Sequence, residues 1–231
     1  MTFSSNELIE LPRIISAARF ATYLQASENN PKVALSLYQW NLEISAAFLI
    51  PLQLCEVAIR NGVAEAIEMV HGSNWPWSEG FRRSLPKPLD PRQYNPASNL
   101  AAIAAKHRTV GKVIADLNFA FWEKLFTAGQ DARIWRPHMS TVFPNIPLEA
   151  EASTSSIQKA RATAFHDLQN IRRFRNRIAH HEPIFSRSLE VDYARLRTLI
   201  SWRSQAAARW MERQQKVTIL IALRETDKDK A

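Results

Sequence analysis

The chain has 231 residues, 46% of them apolar, enough for one domain with a full hydrophobic core. Five glycines are too few for the turns of a β-rich fold of this length, so helices are favoured. Lys and Arg total 30 against 22 acids, a net charge of +8 that points to a polyanionic partner, and the single cysteine, Cys55, excludes an internal disulfide or a cysteine-based zinc site.

Residues 1–10 carry acids and no long apolar run, so no signal peptide is read there. The longest apolar stretch, residues 44–59, is interrupted by Pro51, Gln53 and Glu56 and reads as too polar to span a bilayer. A cytoplasmic protein with no membrane segment is expected.

Residues 7–25 place Leu8, Leu11, Ile14, Ile15, Ala18 and Tyr23 at helical spacing. Asn30 and Pro31 read as cap and first residue of a long helix reaching about Val70. Its apolar face runs Val33, Leu37, Trp40, Ile44, Phe48, Leu52, Val57, Ile59 and Val63. Pro51 is expected to kink or break it, and His71-Gly72-Ser73 to close it. Glu56 and Arg60 are four apart and can pair on one face. That pair reads either as an ordinary helical salt bridge or as a support for a catalytic arginine or a dimer contact.

Residues 72–98 are dense in proline and form the first irregular region, with Trp75 and Trp77 anchoring it on the core. Ser98 is read as the cap of a short helix ending near Ala105. Lys106, His107, Arg108 and Lys112 then make a small basic cluster at the entry to a helix carrying Val110, Val113, Ile114, Leu117, Phe121 and Leu125, which Gly129 ends. Residues 130–152, with Trp135, Pro137, Pro144 and Pro147, read as a second loop region. Ser155 and Gln158 suggest a capping box at the start of a central helix. Ile157, Ala160, Ala164, Leu168, Ile171, Phe174 and Ile178 form its core stripe. Pro183 stops that helix. A last helix is read over residues 189–215, the state of 217–223 is left open, and 225–231 is a charged, fraying tail. The whole, 1–231, reads as a single all-α domain, with N-terminal helices at 7–71, a loop at 72–98 and C-terminal helices at 153–215.

The charge is concentrated. From Arg161 to Arg213 there are eleven arginines, no lysine and five acids. Within this quarter, residues 175–185 read RNRIAHHEPIF. Arg172 and Arg173 lie off the core stripe and Arg175 at its margin. Histidine suits proton transfer near neutral pH, and arginine can hold a phosphate as charge builds in the transition state. RNA carries its own nucleophile in the 2′-hydroxyl, so such a site needs no metal, and DNA should survive it. Arg175 and His180 are five apart, about 140° around an ideal helix. They converge at a helix terminus or across a two-fold axis. A basic helix end favoured by the helix dipole is the plainer reading of the same residues.

The pattern Arg175-Asn176-x-x-x-His180 resembles the Arg-x4–6-His signature of HEPN-domain ribonucleases. The longer string resembles the Abi-like (AbiD/AbiF) abortive-infection branch of that superfamily, as do the segments at 19–24, 37–41, 56–61 and 117–122 in their order. The resemblance covers roughly residues 8–210. It implies an HEPN-type helical bundle with a helical N-terminal extension, acting as a homodimer whose two motifs face one another. It implies RNA cleavage without cofactor or metal, leaving a 2′,3′-cyclic phosphate, as a toxin in antiphage defence or a toxin–antitoxin pair. A small noncoding RNA can be the restraining partner. By the same resemblance Arg175 and His180 are the catalytic pair and Asn176 supports them. Arg177 and His181, with Arg172, Arg173, Glu56 and Arg60, are the supporting or RNA-binding residues. The superfamily also has inactive members, so an RNA-binding module without turnover is the alternative.

Overall fold

The computed structural model describes residues 3–148 and 153–228. All regular structure among the described residues is helical, which bears out the all-α expectation. The chain divides into two compact units, each assembled from separate segments: Met1–Leu49, Arg177–Glu190 and Gln215–Ala231 form the first, Ile50–Asn176 and Val191–Gln214 the second.

The first unit begins with α1 (Ser5–Ile15) and α2 (Ala17–Gln25). Ser4 caps α1 in a capping box with Glu7, and Ser16 breaks the expected continuous helix by adopting φ 79°. Asn30 caps α3 (Pro31–His71), its Oδ1 accepting from Lys32 and Val33 N–H. Phe20, Tyr23, Ala34 and Leu35 form a small core to which Leu8, Leu11 and Phe185 add. The rings of Tyr38 and Phe185 lie 5.1 and 5.2 Å from that of Tyr23, whose burial pushes its hydroxyl pKa up to about 12. Val33, assigned to the core face, is exposed. Residues 217–223, left open above, belong to α12 (Val217–Lys228). Of the charged tail, 229–231 lie outside the described residues.

The second unit takes up α3 from Ile50. The helix continues through Pro51 without a break, although that residue offers no N–H to the carbonyl four before it. Leu52, Ile59 and Val63 are buried as the periodicity predicts, together with Cys55 and Ile67, whereas Val57 is only half-buried. Cys55 is fully enclosed, which pushes its thiol pKa up. By length and composition α3 could cross a membrane, with a window of mean hydropathy 1.7 that is 33% buried within the protein. The core helix of a soluble protein meets the same description.

Prolines start helices here more often than they stop them. Pro96 opens α5 (Pro96–Ala104) behind an Asn95 cap, so Asn95 takes the role assigned to Ser98. The preceding region is not wholly irregular, since it contains α4 (Glu79–Ser84) and a 3₁₀ turn at Trp75–Trp77. The helix read from 110 to 125 is two, α6 (Val110–Asp116) and α7 (Phe119–Lys124), divided where Asn118 caps the second. The second loop region is also largely helical. A π-type turn at Asp131–Trp135 leads into α8 (Arg136–Val142), with Pro137 in its first turn. Residues 149–152 of that region lie outside the described residues. Trp75, Trp122 and Trp135 are fully buried, and Trp135 stacks on Phe126 at 4.3 Å. Trp75 thus anchors the core, as read. Trp77 is partly exposed and ties down its turn through a hydrogen bond to Ala104 O.

The central helix, α9 (Thr154–Ala179), carries the predicted stripe, with Ile157, Ala164, Leu168, Ile171, Phe174 and Ile178 buried. Its cap is Ser153 rather than Ser155: Ser153 Oγ accepts from Ser156 N–H at 3.2 Å. The last predicted helix is two, α10 (Leu189–Arg203) and α11 (Gln205–Gln214), because Ser204 caps the second. Ser153→Ala should lower stability by about 1 kcal/mol. Ser155→Ala should cost less than half as much, with urea denaturation of the two variants as the measurement.

Candidate active site

Arg172, Arg173, Arg175, Asn176 and Arg177 lie in the last turns of α9 and His180 and His181 follow directly in sequence, whereas Glu56 and Arg60 lie on α3. Ala179 is the last helical residue of α9, His180 the cap, and His181 adopts the left-handed conformation at φ 56°. His181 N–H donates to Ile178 O at 3.0 Å and Glu182 N–H to Arg177 O at 2.8 Å. These two bonds make a Schellman cap, with histidine where glycine is usual. A left-handed conformation strains any residue with a Cβ, though histidine tolerates it better than most. The histidine at this position therefore carries a conformational cost that a pure cap would avoid.

Arg177 serves the cap. Its Nε lies 3.5 Å from Glu182 Oε2, and Nη2 donates to Pro183 O at 2.8 Å. The pair occupies the positions where a Schellman motif normally makes an apolar contact. Beyond Pro183 the chain is anchored by a residue that sequence reasoning missed. The buried amide of Ile184 donates to Asn41 Oδ1 at 2.8 Å, and Asn41 is itself 4% exposed. The available signal was an asparagine in an apolar stretch of α3. A second anchor comes from α12. Arg224 lies 4.0 Å above the Trp40 ring and donates to Phe185 O, while Trp40 Nε1 donates to Leu220 O. Burial pushes the Arg224 pKa down.

Arg175 and Arg173 are exposed on α9 and engage in no ion pair or hydrogen bond among the described residues. His180 and His181 are exposed too. Asn176 is half-buried, and its side chain makes no hydrogen bond among the described residues. Glu56 and Arg60 are likewise both half-buried and make no ion pair with each other. Spacing of four allows such a pair but gains only about 0.5 kcal/mol at most, so packing decides the rotamers. Arg60 Nε is left buried without a partner.

Much of the arginine-rich quarter is used internally. Arg161 meets Asp131 at 2.6 Å and donates to Phe126 O; Arg195 meets Asp167 and Asp192. Arg172 pairs with the fully buried Glu123, Arg197 with Glu212 and Arg203 with Glu65. With Arg177 these make six of the eleven arginines engaged internally, so the polyanion reading rests on fewer cations than the sequence suggested. Among the described residues no cluster of three or more His, Cys, Asp or Glu is placed to hold a metal. Compared with protein-family models, with curated proteins and with solved structures, the chain matches none.

Two substitutions probe how this segment is held. Asn41→Ala strands the buried Ile184 amide and should lower stability by about 2 kcal/mol, read from a thermal melt. His181→Gly relieves the left-handed strain, partly offset by the freer unfolded chain, and should raise stability by about 0.5 kcal/mol. His181→Val should lower it by more than 1 kcal/mol. A His181→Gly protein less stable than the parent would mean that the imidazole makes a compensating contact.

Proposed function

We propose that this protein is an endoribonuclease that cleaves RNA without a metal, using Arg175 and His180, and that it serves as a cytoplasmic toxin in abortive infection or a toxin–antitoxin pair. The observation that carries the reading is an exposed, unpaired arginine in the last turns of α9 with an exposed histidine at its cap. The rigid, ion-paired cap beneath them supports it, because a group that must meet a phosphate gains from a fixed backbone.

In this reading the 2′-oxygen of the substrate attacks the adjacent phosphorus. The P–O2′ bond forms and the P–O5′ bond breaks, leaving a 2′,3′-cyclic phosphate and a 5′-hydroxyl. His180 moves a proton at O2′ or at O5′, and Arg175 holds the non-bridging oxygens as negative charge builds. The second proton transfer falls to the His180 of another copy in a two-fold dimer, the arrangement that the HEPN resemblance implies. Asn176 supports the pair. A small noncoding RNA is the proposed restraint. In the alternative reading the same surface binds RNA without turnover.

Incubation of the purified protein with RNA and with DNA of matched sequence, in EDTA, tests this. RNA should be cut and DNA spared. Arg175→Ala and His180→Ala should each reduce the rate by at least about 100-fold, the scale of a positioned acid–base group or an oxyanion contact. Cleavage that persists equally in both variants sinks the assignment, and salt-sensitive RNA binding with no cleavage at all favours the non-catalytic module.

A further inference from the structure

The second unit contains a pocket of about 420 Å³ that the motif does not use. Its wall includes Arg172 of α9, Lys124 of α7 and Lys87 from the segment between α4 and α5. Three basic residues therefore border one space, the Lys124 ammonium lying also 5.7 Å from the centre of the Phe165 ring. The acid in direct contact with two of them is Glu123, which is fully buried, pairs with Arg172 and lies 3.6 Å from Lys124. Lys87 is exposed and has no partner among the described residues. The rest of the wall is largely apolar. Pro86 and Pro88 contribute to it, and the side chain of Leu89 stands fully exposed at 101%. An apolar side chain held in water beside a group of cations suits a ligand that is part anion and part flat ring. The volume is within the range of sites that take small organic ligands.

The position of the pocket relates it to the motif. Arg172 precedes Arg175 by three residues on the same helix, so their Cβ atoms are roughly 5–6 Å apart on the helix surface.

We propose that this pocket is a subsite for one nucleotide of single-stranded RNA, beside the phosphate that Arg175 addresses. Lys87, Lys124 and Arg172 hold the backbone phosphate. Pro86, Pro88 and Leu89 cover a face of the base. The proposal rests on the ribonuclease reading for its choice of ligand, but binding at the pocket is testable without any cleavage.

The experiment uses the full chain and a short fluorescent RNA in which every 2′-hydroxyl is methylated, so that no cut can occur. Binding is followed by anisotropy across a salt series. Lys87→Gln should weaken binding roughly fivefold at low salt and make the salt slope shallower by about 0.7, the value for one phosphate contact on a single strand. Leu89→Ser should weaken binding by a similar factor and leave the slope unchanged, since the contact it removes is apolar. Both residues are exposed, and unchanged melting temperatures verify the fold. Binding and slope unaltered in both variants overturn the proposal, as does the absence of RNA binding by the parent. Displacement of the RNA by polyglutamate as readily as by unlabelled RNA also overturns it, because the cations then form an unspecific patch. If 5′-UMP competes as strongly as the RNA, the pocket serves free nucleotides instead. Cleavage of unmodified RNA that does not depend on Arg175 defeats the catalytic reading, while the loss on Lys87→Gln still stands or falls alone.

Discussion

The buried amide of Ile184 is the constraint from which the end of α9 follows. A peptide N–H sealed from water must find an acceptor, and Asn41 Oδ1 supplies it at 2.8 Å. Pro183 just before it offers no N–H to a helical ladder, which favours an end to α9 ahead of it. The chain turns within His180–Glu182, through a left-handed His181 and two capping bonds. Arg177 then holds Glu182 and Pro183 O together. These contacts leave little freedom in where His180 sits. The cap is built from the residues that a functional reading would claim for RNA, and Arg177 in particular contributes by fixing shape.

The same division runs through the rest of the basic quarter. A net charge of +8 suggests a cationic surface, but charge counted in sequence does not separate cations in solvent from cations that neutralise buried acids. Arg161 and Asp131 are both nearly buried, and their short contact joins α9 to the π-type turn. Removing one member of such a pair leaves an uncompensated charge inside, which makes the arginine structural even if the net gain of the pair is small. Arg197 with Glu212 and Arg203 with Glu65 are more exposed and contribute less. Arg175 shares with Arg173 the lack of an internal partner among the described residues, and of the two it is the one nearer the end of α9.

Helices were legible wherever apolar residues recur at three and four, as in the α9 stripe and the second part of α3. Their ends were less so. Ser153, Ser155 and Ser156 crowd the start of α9, and any of them satisfies the capping preference; the choice fell to the backbone path, which the local sequence does not encode. Asn95 outcompeted Ser98 because Pro96 presets the first helical φ directly after it. Proline density misled in the region after Gln130 for the same reason, since Pro137 initiates α8 rather than preventing a helix. The end of the helix that carries residues 175–180 was readable from Pro183. Asn41 and Arg224 were not, because both act on residues more than a hundred and thirty or nearly forty positions away, and no local pattern announces a partner at that distance.

Arg172 and Arg175 show how one helix can hold two cations in different conditions. Arg172 is pinned by a carboxylate that has no access to water, so its guanidinium is already ordered before any ligand arrives. Ordering a long side chain on binding costs roughly 0.5–1.5 kcal/mol, and a pre-ordered one avoids that cost. Its charge is partly offset by Glu123, however, so it positions an anion more than it attracts one. Arg175 has the opposite balance: its charge is uncompensated, and it must be ordered by what it meets. A strand bound through the first and strained against the second would spend its binding energy where charge develops, which is the condition for a contact to accelerate a reaction instead of only tightening a complex.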